Sequence, residues 1–237
     1  MLKQASCIVM PKFIGQDYQK NNFLFADKEI IECELPGIRR IETKSISDKI
    51  LINTNNIKCV FVGNLYWKIR NPKALMEAFR NLGGGINLYF VGGCFDGDIV
   101  KLLEAEGFDI PDNVFFLGKV SPEKAELYLN EADILINIGN TTENQLPSKV
   151  FDYISIGKPV LNVRKICNDP SNDLFSKYPL ALTIDEKDIT KEENKNIIRE
   201  FCLKNKDKKL SYEMIEELMY ESTVKYVREK YREIISL

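Results

Sequence analysis

Histidine is absent from all 237 residues. That excludes a Ser-His-Asp or Cys-His catalytic centre and any histidine-liganded metal within the chain. The cysteines at positions 7, 33, 59, 94, 167 and 202 include no C-x-x-C and no paired metal spacing. They read as small core residues or isolated thiols, Cys59 lying inside an apolar run, and fit a reducing cytosol better than a disulfide framework. No apolar stretch approaches transmembrane length, and Met1-Leu2-Lys3-Gln4 does not begin a signal peptide. A soluble, cytoplasmic protein is expected, with any membrane association peripheral. Strong charge of either sign is also missing. Thirty-three basic and 35 acidic residues leave a net charge of -2, which gives no general pull toward nucleic acid. No G-x-G-x-x-G follows a strand-like run, and Gly92-Gly93-Cys94 is not followed by Gly-Lys-Ser/Thr, so neither dinucleotide nor P-loop chemistry is supported.

The chain has a globular composition, 44% hydrophobic and 29% charged. From Ile57 onward apolar runs and amphipathic stretches alternate. Strands are expected over Ile57–Val62, Ile86–Val91, Val114–Leu117, Ile134–Ile138, Val160–Val163 and Leu180–Ile184. Helices are expected over Pro72–Leu82, Asp98–Glu106, Pro122–Glu131 and a segment beginning at Pro147. Such alternation predicts α/β architecture, a Rossmann-like, doubly wound parallel sheet covered on both faces. Three further helices are expected at Lys191–Leu203, Ser211–Tyr220 and Ser222–Ile235. Ahead of the regular part lie a strand-like Ser6–Met10, a helix-compatible Asp17–Phe25, a strand-like Glu29–Leu35 and a polar loop from Lys44 to Asn56.

The stretch from Asn140 to Val163 reads as polar loop, helix and strand. Pro147 suits a first helical turn and Gly157 the residue just past the end. Val150, Phe151 and Ile154 share one face, while Ser148, Asp152 and Ser155 share the other. The helix start, with Ser148 and Lys149, offers free N–H groups to phosphate. Asp152, one turn on, could accept hydrogen bonds from a sugar diol. On geometry alone an ordinary amphipathic helix with a solvated polar face is the favoured reading. In open parallel sheets ligands bind outside the carboxyl ends of the strands, here at Gly63-Asn64, Gly92-Gly93, Gly118-Lys119, 138–145 and Arg164. Asp96-Gly97-Asp98 directly precedes a helix and reads as a cap rather than a metal site.

The run Leu146-Pro147-Ser148-Lys149-Val150-Phe151-Asp152-Tyr153, followed by Gly157-Lys158-Pro159, resembles the donor-site helix of GT-B-fold glycosyltransferases. It is nearest to the retaining family four that uses nucleotide sugars. The resemblance implies that Asp152 binds the donor ribose, in place of the family's Glu. It places Asn144, flanked by Glu143 and Gln145, near the sugar, where many members carry a second Glu. It implies a diphosphate site at Gly63, Asn64, Lys68, Arg70, Ser148 and Lys149, and a nucleobase framed by Lys119 and Val120. No residue is singled out as catalytic, and no metal is expected. Residues 1–56 resemble the end of a GT-B amino-terminal domain plus linker, with a small decorative subdomain as the alternative. Residues 57–210 would be the donor-binding domain and 211–237 helices packing back across it. The implied activity is sugar transfer from a nucleotide diphosphate sugar to a glycan or lipid-linked acceptor. The implied partners are those substrates and a separate amino-terminal half or membrane-peripheral complex, with no nucleic acid. A non-enzymatic nucleotide-sugar binding subunit and a GT-B-fold epimerase are the alternatives.

Overall fold

The computed structural model describes residues 7–14, 28–41 and 55–236. The helix expected over Asp17–Phe25 and all but the end of the Lys44–Asn56 loop lie outside the described residues. Two short strands, β1 (Cys7–Met10) and β2 (Glu29–Glu32), pair in parallel.

The main unit alternates strand and helix: β3 (Ile57–Val62), α1 (Lys73–Phe79), β4 (Ile86–Val91), α2 (Ile99–Ala105), β5 (Val114–Phe116), α3 (Pro122–Glu131), β6 (Ile134–Ile138), α4 (Lys149–Ile156), β7 (Val160–Arg164), α5 (Ser171–Lys177) and β8 (Ala181–Asp185). Its six strands are all parallel, in the order β5-β4-β3-β6-β7-β8. Strands buried on both faces must be apolar throughout, which is why β3, β4 and β6 are nearly continuous apolar runs. Their side chains still alternate in direction. Cys59, Phe61, Leu88, Phe90, Ile134 and Ile136 enter one core layer. Val60, Val62, Tyr89, Val91 and Leu135 enter the other. A polar ladder crosses β6, β7 and β8: Asn137 Nδ2 donates to Asn162 Oδ1 at 2.7 Å, and Asn162 Nδ2 to Thr183 Oγ1 at 3.2 Å.

Local chemistry sets the helix ends. Asp98 caps α2, its carboxylate accepting from the amides of Val100 and Lys101. Ser121 caps α3, with Pro122 in the first turn. Gly157 ends α4 at φ 85°, and a Cβ there would sit 2.5 Å from the Leu210 carbonyl oxygen, so only glycine fits. Lys158 then sends its ammonium to the carbonyls of Asn130 and Ala132, closing the end of α3. After β8 come α6 (Glu192–Asn205), α7 (Tyr212–Leu218) and α8 (Val224–Ile235). The fully buried Cys202 of α6 sets its Sγ 3.8 Å from that of Cys59.

Two expectations need correcting. Ser155 is buried, not solvated, and its Oγ accepts from the Arg39 amide at 3.3 Å. With Tyr153 and Ile156 also buried, α4 is covered on nearly every side. The second correction is α5, absent from the expected elements. Its first turn carries Asn172 and Asp173 and follows Asn168-Asp169-Pro170, which reads as turn chemistry, yet Ser171, Leu174 and Phe175 bury one helical face.

Candidate functional site

The strand order reverses between β3 and β6, and a crevice opens outside their carboxyl ends at such a switch point. Helix α4 begins there. Its Lys149 ammonium donates to the Val62 carbonyl at 2.5 Å, at the very end of β3. Tyr153 clamps the same residue: its hydroxyl accepts from the Val62 amide at 3.1 Å and donates to the Val62 carbonyl at 3.2 Å. Burial raises the Tyr153 pKa far above its usual range, so the phenol stays protonated. Burial lowers the Lys149 pKa; the Asp152 carboxylate opposes that shift and Arg70 adds to it. Lys149, Asp152 and Arg70 therefore share one electrostatic neighbourhood.

A cavity of about 640 Å³ opens beside this helix, walled by Val62, Lys149 and Asp152, by Val120, and by Arg39 and Arg40. The structure thus brings together residues from three of the expected groups: Asp152, Val120 and Lys149. Asp152 is not free in it. Arg39 Nη2 lies 3.0 Å from Asp152 Oδ1, both side chains being partly exposed. Nothing in the local sequence announces Arg39, which sits 113 positions away, whereas a basic residue near a lone helical carboxylate is ordinary electrostatics.

Arg70 lies deeper than Lys68 and is half-buried. Its guanidinium donates to Asn140 Oδ1 from Nε at 3.1 Å and from Nη2 at 2.6 Å. Asn140 in turn donates to the Gln145 carbonyl at 3.1 Å. The turn after β3 and the loop after β6 are so tied into one rim. Burial lowers the Arg70 pKa, against the pull of Tyr66, Tyr153 and Asp169, and the group remains a cation. Lys68 and Asn64 are exposed, Asn64 Oδ1 accepting from the Gly93 amide at 3.4 Å. Ser148 is exposed at the start of α4 and makes no side-chain cap. Lys119 is exposed, with its stem across Gly93. Gly92 serves packing rather than a ligand: a Cβ there would lie 2.0 Å from the Gly63 carbonyl oxygen.

Glu143 and Asn144 line a second cavity of about 420 Å³, with Phe13, Asp169 and Asn172. Glu143 accepts from Asn168 Nδ2 at 3.2 Å. Asp169, Asn140 and Tyr153 were not singled out from the sequence. Asp169 sits in a loop whose composition reads only as a turn, and Tyr153 in a helix whose polar face was the focus. Among the described residues no three acidic or thiol side chains converge on a point that could hold a metal ion. No helix among them is long and apolar enough to cross a membrane.

A family model described as "Glycosyl transferases group 1" matches residues 42–168. An uncharacterized glycosyltransferase of Methanocaldococcus jannaschii is 30% identical over 169 residues, covering 68% of this chain and 41% of the relative. Among solved structures, the lipopolysaccharide outer core galactosyltransferase WaaB in its apo form aligns with TM-score 0.68 and 15% identity, over 99% of this chain and 63% of that one. Sucrose-phosphate synthase from Thermosynechococcus elongatus aligns with TM-score 0.65 and 13% identity, over 99% and 60%. Anabaena HepE in complex with UDP and glucose aligns with TM-score 0.61 and 17% identity, over 98% and 63%. At such identities the structural likeness is one of fold. The chain spans less than two thirds of the length of each of these proteins. The family match covers more than half of its residues, and the chain belongs to the group 1 glycosyl transferases.

Proposed function

We propose that this chain binds a nucleoside diphosphate sugar as the donor-binding part of a glycosyltransferase, and passes the sugar to a glycan or lipid-linked acceptor. One observation carries the reading: Lys149 and Asp152 of α4, Val120 after β5 and Arg39 ahead of β3 wall one cavity at the switch point of a parallel sheet. In it Asp152 accepts hydrogen bonds from the ribose hydroxyls once Arg39 yields. Lys119 and Val120 frame the base. Arg70, Lys149, Lys68 and the residues Gly63, Asn64 and Ser148 hold the diphosphate. Charge develops on that diphosphate as the sugar leaves, and fixed cations there stabilise it more in the transition state than in the ground state. Glu143, Asn144 and the Gln145 backbone lie next to the sugar. These cations take the place of a metal, and none is needed. A structure of HepE with UDP and glucose supports the choice of uridine nucleotides as first probes.

Residues 57–210 form the donor domain in this reading, with 211–237 packed back across it and 1–56 belonging to the other half of the cleft. That other half carries the acceptor, and the assembly works in the cytoplasm or at the inner face of the membrane. A thermal-shift panel of nucleoside diphosphates and their sugars tests the proposal, since a ligand of the native state raises its melting temperature. A concentration-dependent rise with one nucleoside diphosphate, unchanged by EDTA, is expected. No rise with any nucleotide overturns the reading, and a rise that EDTA abolishes overturns its metal-free form.

A further inference from the structure

Arg70 is fixed at both ends of its side chain. At the backbone, its amide donates to the Tyr66 carbonyl at 2.7 Å and closes the turn after β3. At the tip, Nε and Nη2 both donate to Asn140 Oδ1, at 3.1 and 2.6 Å. Asn140 is itself 3% exposed. It follows Gly139, whose amide donates to the Val163 carbonyl at 2.9 Å and carries the pairing of β6 with β7 one residue further. Chemistry leaves the Asn140 amide one orientation. A guanidinium has only donors and the Gln145 carbonyl can only accept, so Oδ1 must face Arg70 and Nδ2 must face residue 145, at 3.1 Å. The anchor for the guanidinium is therefore buried, oriented and tied to the sheet.

Two features suit this contact to holding an anion. Asn140 is neutral. A carboxylate in its place would grip the guanidinium as firmly but cancel its charge, whereas the amide keeps Arg70 a cation in the neighbourhood of Lys149. Asp169 attracts Arg70 through space, yet its hydrogen bonds go to Ser171 instead. The contact with Asn140 also occupies only one edge of the guanidinium, and the Nη1 amine with the second Nη2 hydrogen is left for a ligand. A long basic side chain ordinarily loses rotamer freedom when it binds phosphate, and an anchor that has already taken that loss raises affinity. We infer that Asn140 is a positioning residue for the diphosphate: it aims Arg70 without touching the ligand itself. The inference rests on the donor reading for the nucleotide part of that ligand.

Calorimetric titration of the whole chain with UMP, UDP and inorganic pyrophosphate tests it. The variants are Asn140→Ala, Arg70→Ala and the two combined. Asn140→Ser, which keeps a hydroxyl acceptor on a shorter stem, is read in the same way should the alanine variant fail to fold. Asn140→Ala should weaken UDP and pyrophosphate by about tenfold and UMP by no more than about twofold, and in the Arg70→Ala background it should cost nothing further. A residue that only supports the loop would weaken UMP and UDP together, or add its loss to that of Arg70→Ala. Either result overturns the inference, as does an affinity for UDP and pyrophosphate unchanged in Asn140→Ala or in Arg70→Ala. If the wild type binds pyrophosphate but not UDP, and Asn140→Ala weakens the pyrophosphate, the donor reading falls and the positioning role stands. If it binds neither, both fall.

Discussion

Asp152 and Arg70 divide the proposed site by chemistry, and single substitutions separate their roles. Asp152→Ala removes the acceptor for the ribose, so UMP and UDP should weaken alike, by about 1–3 kcal/mol. Arg39 now holds that carboxylate, and an exposed ion pair is worth only about 0–1 kcal/mol. Arg39→Ala should therefore leave UMP binding unchanged or tighten it by no more than about fivefold. Arg70→Ala should spare UMP and weaken UDP, with a loss that shrinks as salt rises. Calorimetric titration of the three variants with both nucleotides checks all of this; an Asp152→Ala protein with unaltered affinities would leave that helix face as mere surface. Lys149 adds a pH test. Burial holds its pKa below the ordinary 10.5. The neutral amine is favoured in the folded state, so folding stability rises as pH climbs from the lowered value to the unfolded one. UDP affinity falls over the same window, because the ligand needs the cation. In Lys149→Met the affinity slope should vanish and the stability slope should shrink to the part that Lys158, lowered by burial to about 8, still supplies, as followed by calorimetry and urea denaturation from about pH 7 to about pH 10. The sequence made Asp152, Arg70 and Lys149 visible through helix spacing and through likeness to a known motif. Arg39 was invisible for a physical reason: it acts through a contact made only when distant segments fold together.

At the level of elements, strands were easier to read than helices. A strand buried on both faces needs an unbroken apolar run, and Ile57–Val62, Ile86–Val91 and Ile134–Ile138 have the expected bounds to the residue. Helix α1 ends earlier than its apolar spacing suggests, since Asn81 takes φ 57° and three left-handed glycines follow. Helix α5 was missed because seven residues with two turn-formers cannot show a 3.6-residue period. The asparagine ladder was equally hidden: Asn137 and Asn162 interrupt apolar runs, and only the register of β6 against β7 reveals that they face each other. Asn162→Val should cost about 1–3 kcal/mol, because the Asn137 amide is then buried without a partner. The Asn137→Val/Asn162→Val double variant should recover most of that loss. Urea denaturation of the single and double variants measures the difference. Equal stabilities throughout would mean that the ladder contributes nothing.

For the molecule as a whole, the six-stranded unit was legible because alternation of period two and period 3.6 allows few architectures. The opening segment was less so, since two four-residue strands carry little pattern. The relatives' remaining length has no counterpart among these 237 residues. On the proposed division of labour, the chain by itself should bind UDP-glucose but transfer sugar to an acceptor extract poorly. Radiolabelled transfer assays with and without an added acceptor-domain polypeptide measure this, and robust multi-turnover transfer by the chain alone would overturn the division.

The chain passes between its opening segment and the six-stranded unit twice, near residue 38 and near residue 223, and the two passages touch. Ile38 and Thr223 form a parallel bridge, the Ile38 amide donates to the Ser222 carbonyl at 2.9 Å, and both bridging residues are almost wholly buried. The Arg39 amide is held a residue later by Ser155. The side chain of Arg39, one residue past that bridge, reaches Asp152, so the joint between the two passages also fixes the cation beside the carboxylate proposed to bind ribose.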